Sequence, residues 1–181
     1  MKTLQGTGVN PLEEGRRWVQ WAEAAATENG VGWAEKQAKT SYNLRQFWDT
    51  KALHYQSDPI AWDELDLKAH KAWAALSNVG LVMDNPPAQD RYTRDAAEAT
   101  AKARVIAQRL GKIQDVALLD KRAAENQAWA TYAKVYGVDD TYKAAVMKSA
   151  SDFMAMGPFG IPWWAWIAGA AGVYLILVRR W

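Results

Sequence analysis

The stretch from Phe153 to Val178 holds twenty-six residues without a charge and is followed by Arg179, Arg180 and Trp181. Such a run has few places to go. A bilayer's hydrocarbon core takes about 20 mostly apolar residues as one helix, whereas a water-facing helix needs a polar stripe. Gly157, Pro158, Gly160 and Pro162 break any helix arriving from upstream, and a fresh one starts readily after Pro162 because proline suits a first-turn position. The expected span is Trp163 to Arg180. At about 1.5 Å per residue it reaches roughly 27 Å, close to the hydrocarbon thickness.

The ends of the span agree with its length. Trp163, Trp164 and Trp166 cluster at one boundary, and Trp181 lies with Arg179 and Arg180 at the other. This is the aromatic-belt and snorkelling pattern of a membrane interface. Ala165, Gly169 and Gly172, with Ala168 beside them, form a small-residue face on which a second membrane helix would approach closely. The organisation expected is a polar segment over 1–10, a helical soluble domain over 11–156 with a hinge at 81–87, a Gly/Pro joint over 157–162, and a single-pass anchor over 163–181.

Charge is nearly balanced before the anchor. Residues 1–150 hold 20 Lys plus Arg against 19 Asp plus Glu, and the rest of the chain holds 2 against 1. No strong nucleic-acid signal follows, because a phosphate-binding stripe would be less neutralised. Cysteine is absent, which excludes disulfides, thiolate nucleophiles and Cys-ligated metals. Met1 to Asn10 lacks the apolar core of a secretory signal, so a protein inserted by its tail would keep its soluble part on the cytoplasmic side, or inside the particle if viral. Arg179 and Arg180 beyond the span, against Lys143 and Lys148 before it, pull weakly the other way.

Helix punctuation is legible through the soluble part. Asn10, Pro11 and Glu13 read as cap, first-turn proline and capping-box acid, opening a helix to about Asn29 closed by Gly30. A second helix should run from Val31 or Gly32 to about Gln56, ended by Ser57, Asp58 and Pro59, and a third from Pro59 to about Asn78, closed near Gly80. Asp84, Asn85, Pro86 and Pro87 mark an extended loop over Leu81 to Pro87. From Ala88 to Leu110 the positions Tyr92, Ala96, Ala99, Ala103, Ile106 and Leu110 form a heptad-like seam. Gly111 interrupts, a helix follows from Lys112 to Tyr136, and Asp139 or Asp140 caps a last one reaching Met156. No sustained period-2 run occurs, so the fold class expected is all-α: an elongated bundle of about six soluble helices followed by one transmembrane helix.

Eleven tryptophans are far above ordinary usage, and four of them belong to the expected anchor. Trp18, Trp21, Trp33, Trp48, Trp62, Trp73 and Trp129 fall on the soluble helices, where an indole serves either a helix crossing or a contact with another chain or with lipid headgroups. Chemistry is harder to find. The only histidines are His54 and His70; Asp66 and His70 are four apart on one helix with Asp63 one turn before, and Asp66 and His70 read as a surface ion pair rather than a metal site. No Gly-x-Ser-x-Gly, phosphate loop, dinucleotide fingerprint or Glu-x-x-His pair is present. No catalytic, cofactor-binding or metal residue is nominated, and no cofactor is expected.

The function expected is therefore that of a non-enzymatic, membrane-anchored structural protein that organises an assembly at a membrane, in a cell envelope or in the internal membrane of a virion. Its partners would be the bilayer and other subunits or copies of itself. A self-associating pore or delivery protein and a membrane-associated enzyme are the alternatives.

Overall fold

Asn10 accepts a hydrogen bond on its side-chain oxygen from Leu12 N–H at 3.0 Å, and the first helix starts there. Asp58 accepts from Ala61 N–H at 3.1 Å, and Asp139 from Tyr142 N–H at 2.7 Å, opening two further helices in the same way. The expected reach of Glu13 back to the cap does not form, because Glu13 pairs with Arg16 one turn along. In the computed structural model, which describes residues 10–27, 33–83 and 86–155, these starts give α1 (Pro11–Thr27), α2 (Trp33–His54), α3 (Pro59–Met83), α4 (Pro86–Arg109), α5 (Ile113–Tyr136) and α6 (Asp140–Ala155). A 3-10 turn, Tyr55–Ser57, follows α2. Among the described residues the fold is all-helical, with no strand. Gly111 and Gly137 adopt φ of +68° and +78°, the left-handed geometry that glycine takes freely, and each ends a helix.

Helix α3 is the centre, with α1, α2, α4 and α6 all packed on it. Its burial continues around the cylinder: Trp62, Leu65, Leu67, Ala69, Ala72, Ala75, Leu76 and Val79 are inside, and so are Asp63, Asp66, His70 and Asn78. Glu64 and Lys68 stay exposed near its start, whereas every position from Ala69 to Gly80 is buried or half-buried, and the stretch from Ala72 to Met83 carries no charge. The antiparallel partner α4 meets it with the predicted seam, in which Tyr92, Ala96, Ala99, Ala103 and Ile106 are buried and Leu110 packs against the core.

Two expectations for this hairpin change. Gly80 does not close α3, which runs on to Met83, and Pro86 opens α4, so the loop expected over Leu81 to Pro87 is shorter. Gly80 serves packing instead: a Cβ there would lie 2.8 Å from Tyr92 Cδ1 and 2.9 Å from Trp33 Cζ2. Trp33 and Tyr92 meet edge to face above it, with centroids 5.4 Å apart. Alanine gains about 1 kcal/mol over glycine inside a helix, but overpacking costs about 1–3 kcal/mol. Gly80→Ala should therefore lower the urea midpoint of the protein; a raised midpoint would show that both rings move aside without cost.

Helices α5 and α6 form an antiparallel hairpin against this core. At its tip Trp129, Tyr132 and Tyr142 build a second, smaller cluster, with Tyr132 and Tyr142 stacked at 5.5 Å. At its base Phe153 reaches the main core. The first three residues of the uncharged run, Phe153, Met154 and Ala155, thus belong to α6. No helix among the described residues is long and apolar enough to cross a membrane. The expected joint and anchor, with Trp163, Trp164, Ala165, Trp166, Ala168, Gly169, Gly172, Arg179, Arg180 and Trp181, lie outside the described residues.

Candidate functional site

The densest group of charged side chains inside the bundle grows from three positions of α3. Asp63, Asp66 and His70 face α2 and the end of α4, and all three are buried. The expected contact between Asp66 and His70 forms, but its expected place at the surface is corrected. The spacing of these residues placed them on one face, but that face is covered by neighbouring helices. Lys51, reaching across from α2, bridges both carboxylates at 2.8 Å to Asp63 Oδ1 and 2.6 Å to Asp66 Oδ2. Trp48 Nε1 donates to Asp66 Oδ1 at 2.8 Å, and His70 Nδ1 lies 2.9 Å from the same oxygen. Tyr55 OH donates to Asp63 Oδ2 at 3.1 Å, and Arg109 Nη1 approaches that oxygen at 3.3 Å.

Every carboxylate oxygen of the pair is thereby engaged. Burial by itself pushes the Asp66 carboxyl up; hydrogen bonds and charge from His70 and Lys51 outweigh it and hold the group at about 2, against an ordinary 3.8. Asp66 is ionised over the whole physiological range, and its lone pairs are turned toward the protein's own donors. This arrangement suits a polar lock between α2, α3 and α4 rather than a proton carrier. Among the described residues no group of three or more His, Asp or Glu side chains is placed to hold a metal ion.

A second polar group sits in a cleft of about 500 Å³ between α5 and α6. Arg122 is buried there, with its guanidinium 5.1 Å from the centre of the Phe153 ring. It donates to Ser149 Oγ and, at 3.3 Å, to Glu125 Oε2. Ser149 Oγ in turn donates to Glu125 at 3.1 Å. Burial pulls the Arg122 pKa down and Glu125 offsets this, as expected for a cation kept in a dry place by one partner.

Comparison with protein-family models, curated proteins and solved structures finds no match to this chain. Function must be argued from its own residues.

The tryptophans are distributed through both groups and the core between them. Trp62 is 1 % exposed and Trp18, Trp21, Trp33, Trp48, Trp73 and Trp129 are half-buried. Trp48 belongs to the Asp66 network, Trp21 carries Lys39 over its ring at 4.8 Å, and Trp129 packs at the hairpin tip. Among the described residues the exposed large apolar side chains are others: Tyr42, Leu53, Ile60, Val105, Ile113, Val135 and Tyr136. Lys51 and Arg122 are the functional-group carriers that pattern reading missed. Lys51 stood in sequence as one more charge on a polar helix, and only its contacts 12 and 15 residues away, to Asp63 and Asp66, reveal it. Arg122 follows Lys121 in an ordinary charged stretch, and no local signal marks it as buried.

Proposed function

We propose that this protein is a non-enzymatic, membrane-anchored helical component that organises a larger assembly at a bilayer, in a cell envelope or in the internal membrane of a virion. The observation that carries the reading is the twenty-six-residue uncharged run, which leaves a charged helical bundle directly through α6 and ends in two arginines and a tryptophan. The internal ion network supports it from the other side. A bundle whose buried carboxylates are all held by its own donors is rigid, which suits a body that presents surfaces to partners.

The test compares the full chain with one ending at Met156, which keeps every described helix. The full chain should float with phosphatidylcholine liposomes and require detergent for extraction, whereas the shorter chain should stay in buffer with equal helical content. Equal partition of both into buffer would overturn the anchor. Purification of the full chain in mild detergent then separates two roles: a stoichiometric partner supports the assembly role, and a ring of identical chains supports a pore.

A further inference from the structure

One end of the bundle gathers helix ends. The Asp63 contacts bring the close of α2 and of α4 to the start of α3, Lys112 joins the start of α5 to Glu64 at 3.1 Å, and Trp62 lies against Gly15 near the start of α1. Helix α6 points the same way: it runs from Tyr142, stacked on Tyr132 at the far tip, to Phe153 beside Lys71. Among the described residues, three of the seven exposed large apolar side chains stand at this end. Leu53 is 81 % exposed, Ile60 68 % and Ile113 81 %. Each would gain on leaving water, by about 25 cal/mol per Å² of apolar surface covered, and the three share one end of an otherwise charged bundle.

We infer that this end of the bundle, through Leu53, Ile60 and Ile113, rests in the headgroup and acyl boundary of the same bilayer that takes the anchor. The inference rests on the anchored reading and adds an orientation to it. Distance selects lipid over other occupants. Ile60 lies eleven residues before Lys71, so it sits about 16 Å beyond the level of Phe153 along the α3 axis. Met156 and the joint over 157–162, which separate α6 from Trp163, can span at most about 24 Å when extended. The expected first residue of the span, Trp163, is therefore within reach of the level of Ile60 and cannot be far beyond it. A tether this short keeps the apolar end at high effective concentration next to lipid, where no separate partner has that advantage. Near this end Arg16 pairs with Glu13 and Lys112 with Glu64, and the exposed Asp58 beside Ile60 is acidic, so the contact is an apolar one and needs no anionic lipid.

The absence of native cysteine permits a direct test on the full chain. Spin labels are placed one at a time through Leu53→Cys, Ile60→Cys and Ile113→Cys, with Val135→Cys as a control on α5, about 33 Å from Ile113 along the helix. Ile167→Cys reports the anchor itself. In phosphatidylcholine vesicles the three labels should show a several-fold higher ratio of oxygen to nickel-chelate accessibility than the Val135→Cys label. If the Ile167→Cys label reads as lipid-embedded while those three match the control, the docking is wrong and the anchor stands. A second chain or foreign protein on this end would shield the labels from both reagents, which also overturns the docking. An Ile167→Cys label exposed to water would sink the anchored reading and the docking together.

Discussion

Lys51→Met is expected to destabilise the bundle by about 3–5 kcal/mol at neutral pH, the range for removing one partner of a buried ion pair. Methionine keeps the length of the side chain and its apolar stem, so packing changes little. What is lost is the ammonium between Asp63 Oδ1 and Asp66 Oδ2, and two buried carboxylates are left facing each other. Asp63 keeps Tyr55 and Arg109, and Asp66 keeps Trp48 and His70, so the helices should still form but with a lower midpoint.

The sign of the pH dependence follows from Asp66. A carboxyl held at about 2 in the fold and titrating near 3.8 when unfolded contributes stability above pH 3.8 that disappears as the pH falls through 2. At about 1.4 kcal/mol per pKa unit, the contribution is on the order of 2 kcal/mol. The gap between the wild-type protein and Lys51→Met should therefore be widest at neutral pH and shrink between pH 4 and pH 2. Urea titrations followed by helical circular dichroism in detergent measure it. An unchanged gap at the two extremes would mean that Lys51 acts through its stem and not its charge.

Trp62→Ala should cost a similar amount, about 3–5 kcal/mol, for a different reason. Trp62 is among the largest fully buried side chains and stands where α1, α2 and α3 meet. Its ring is 5.9 Å from that of Phe47, and its Cζ3 would lie 2.9 Å from a Cβ at Gly15. The helices are held at that spacing by other contacts, so removing the indole opens a cavity that cannot fully collapse. This loss should be the same at pH 7 and pH 4, in contrast to Lys51→Met. A Trp62→Ala protein with an unshifted midpoint would show that α1 does not depend on this crossing.

Much of the secondary structure was readable because its determinants are local. The caps at Asn10, Asp58 and Asp139 act within three residues of themselves, and Gly111 and Gly137 end helices through their own φ. The seam from Tyr92 to Leu110 was also visible, since a helix with one buried face shows its period. Helix α3 was harder to read. Its second half, from Ala69 to Gly80, is buried or half-buried at every position and has no polar face to set a period, and so its place at the centre did not stand out. Gly80 was misread for a related reason. Glycine signals a helix end only when no neighbour needs the space of a missing Cβ, and here Trp33 and Tyr92 need it.

The candidate site divides along the same line. Asp63, Asp66 and His70 stood on one face by spacing alone. Whether that face met water or other helices depended on α2 and α4 folding over it. By itself the sequence determined that the described part is all-helical, where most of its helices start, and a charge-free run of spanning length, since each is set by interactions within one turn or by composition. Only the tertiary structure decided that Lys51 joins two buried carboxylates, that Arg122 is buried beneath α6, and that Leu53, Ile60 and Ile113 stand together at one end. Those pairings join residues far apart in the chain, and their energies exist only after the helices have chosen their neighbours.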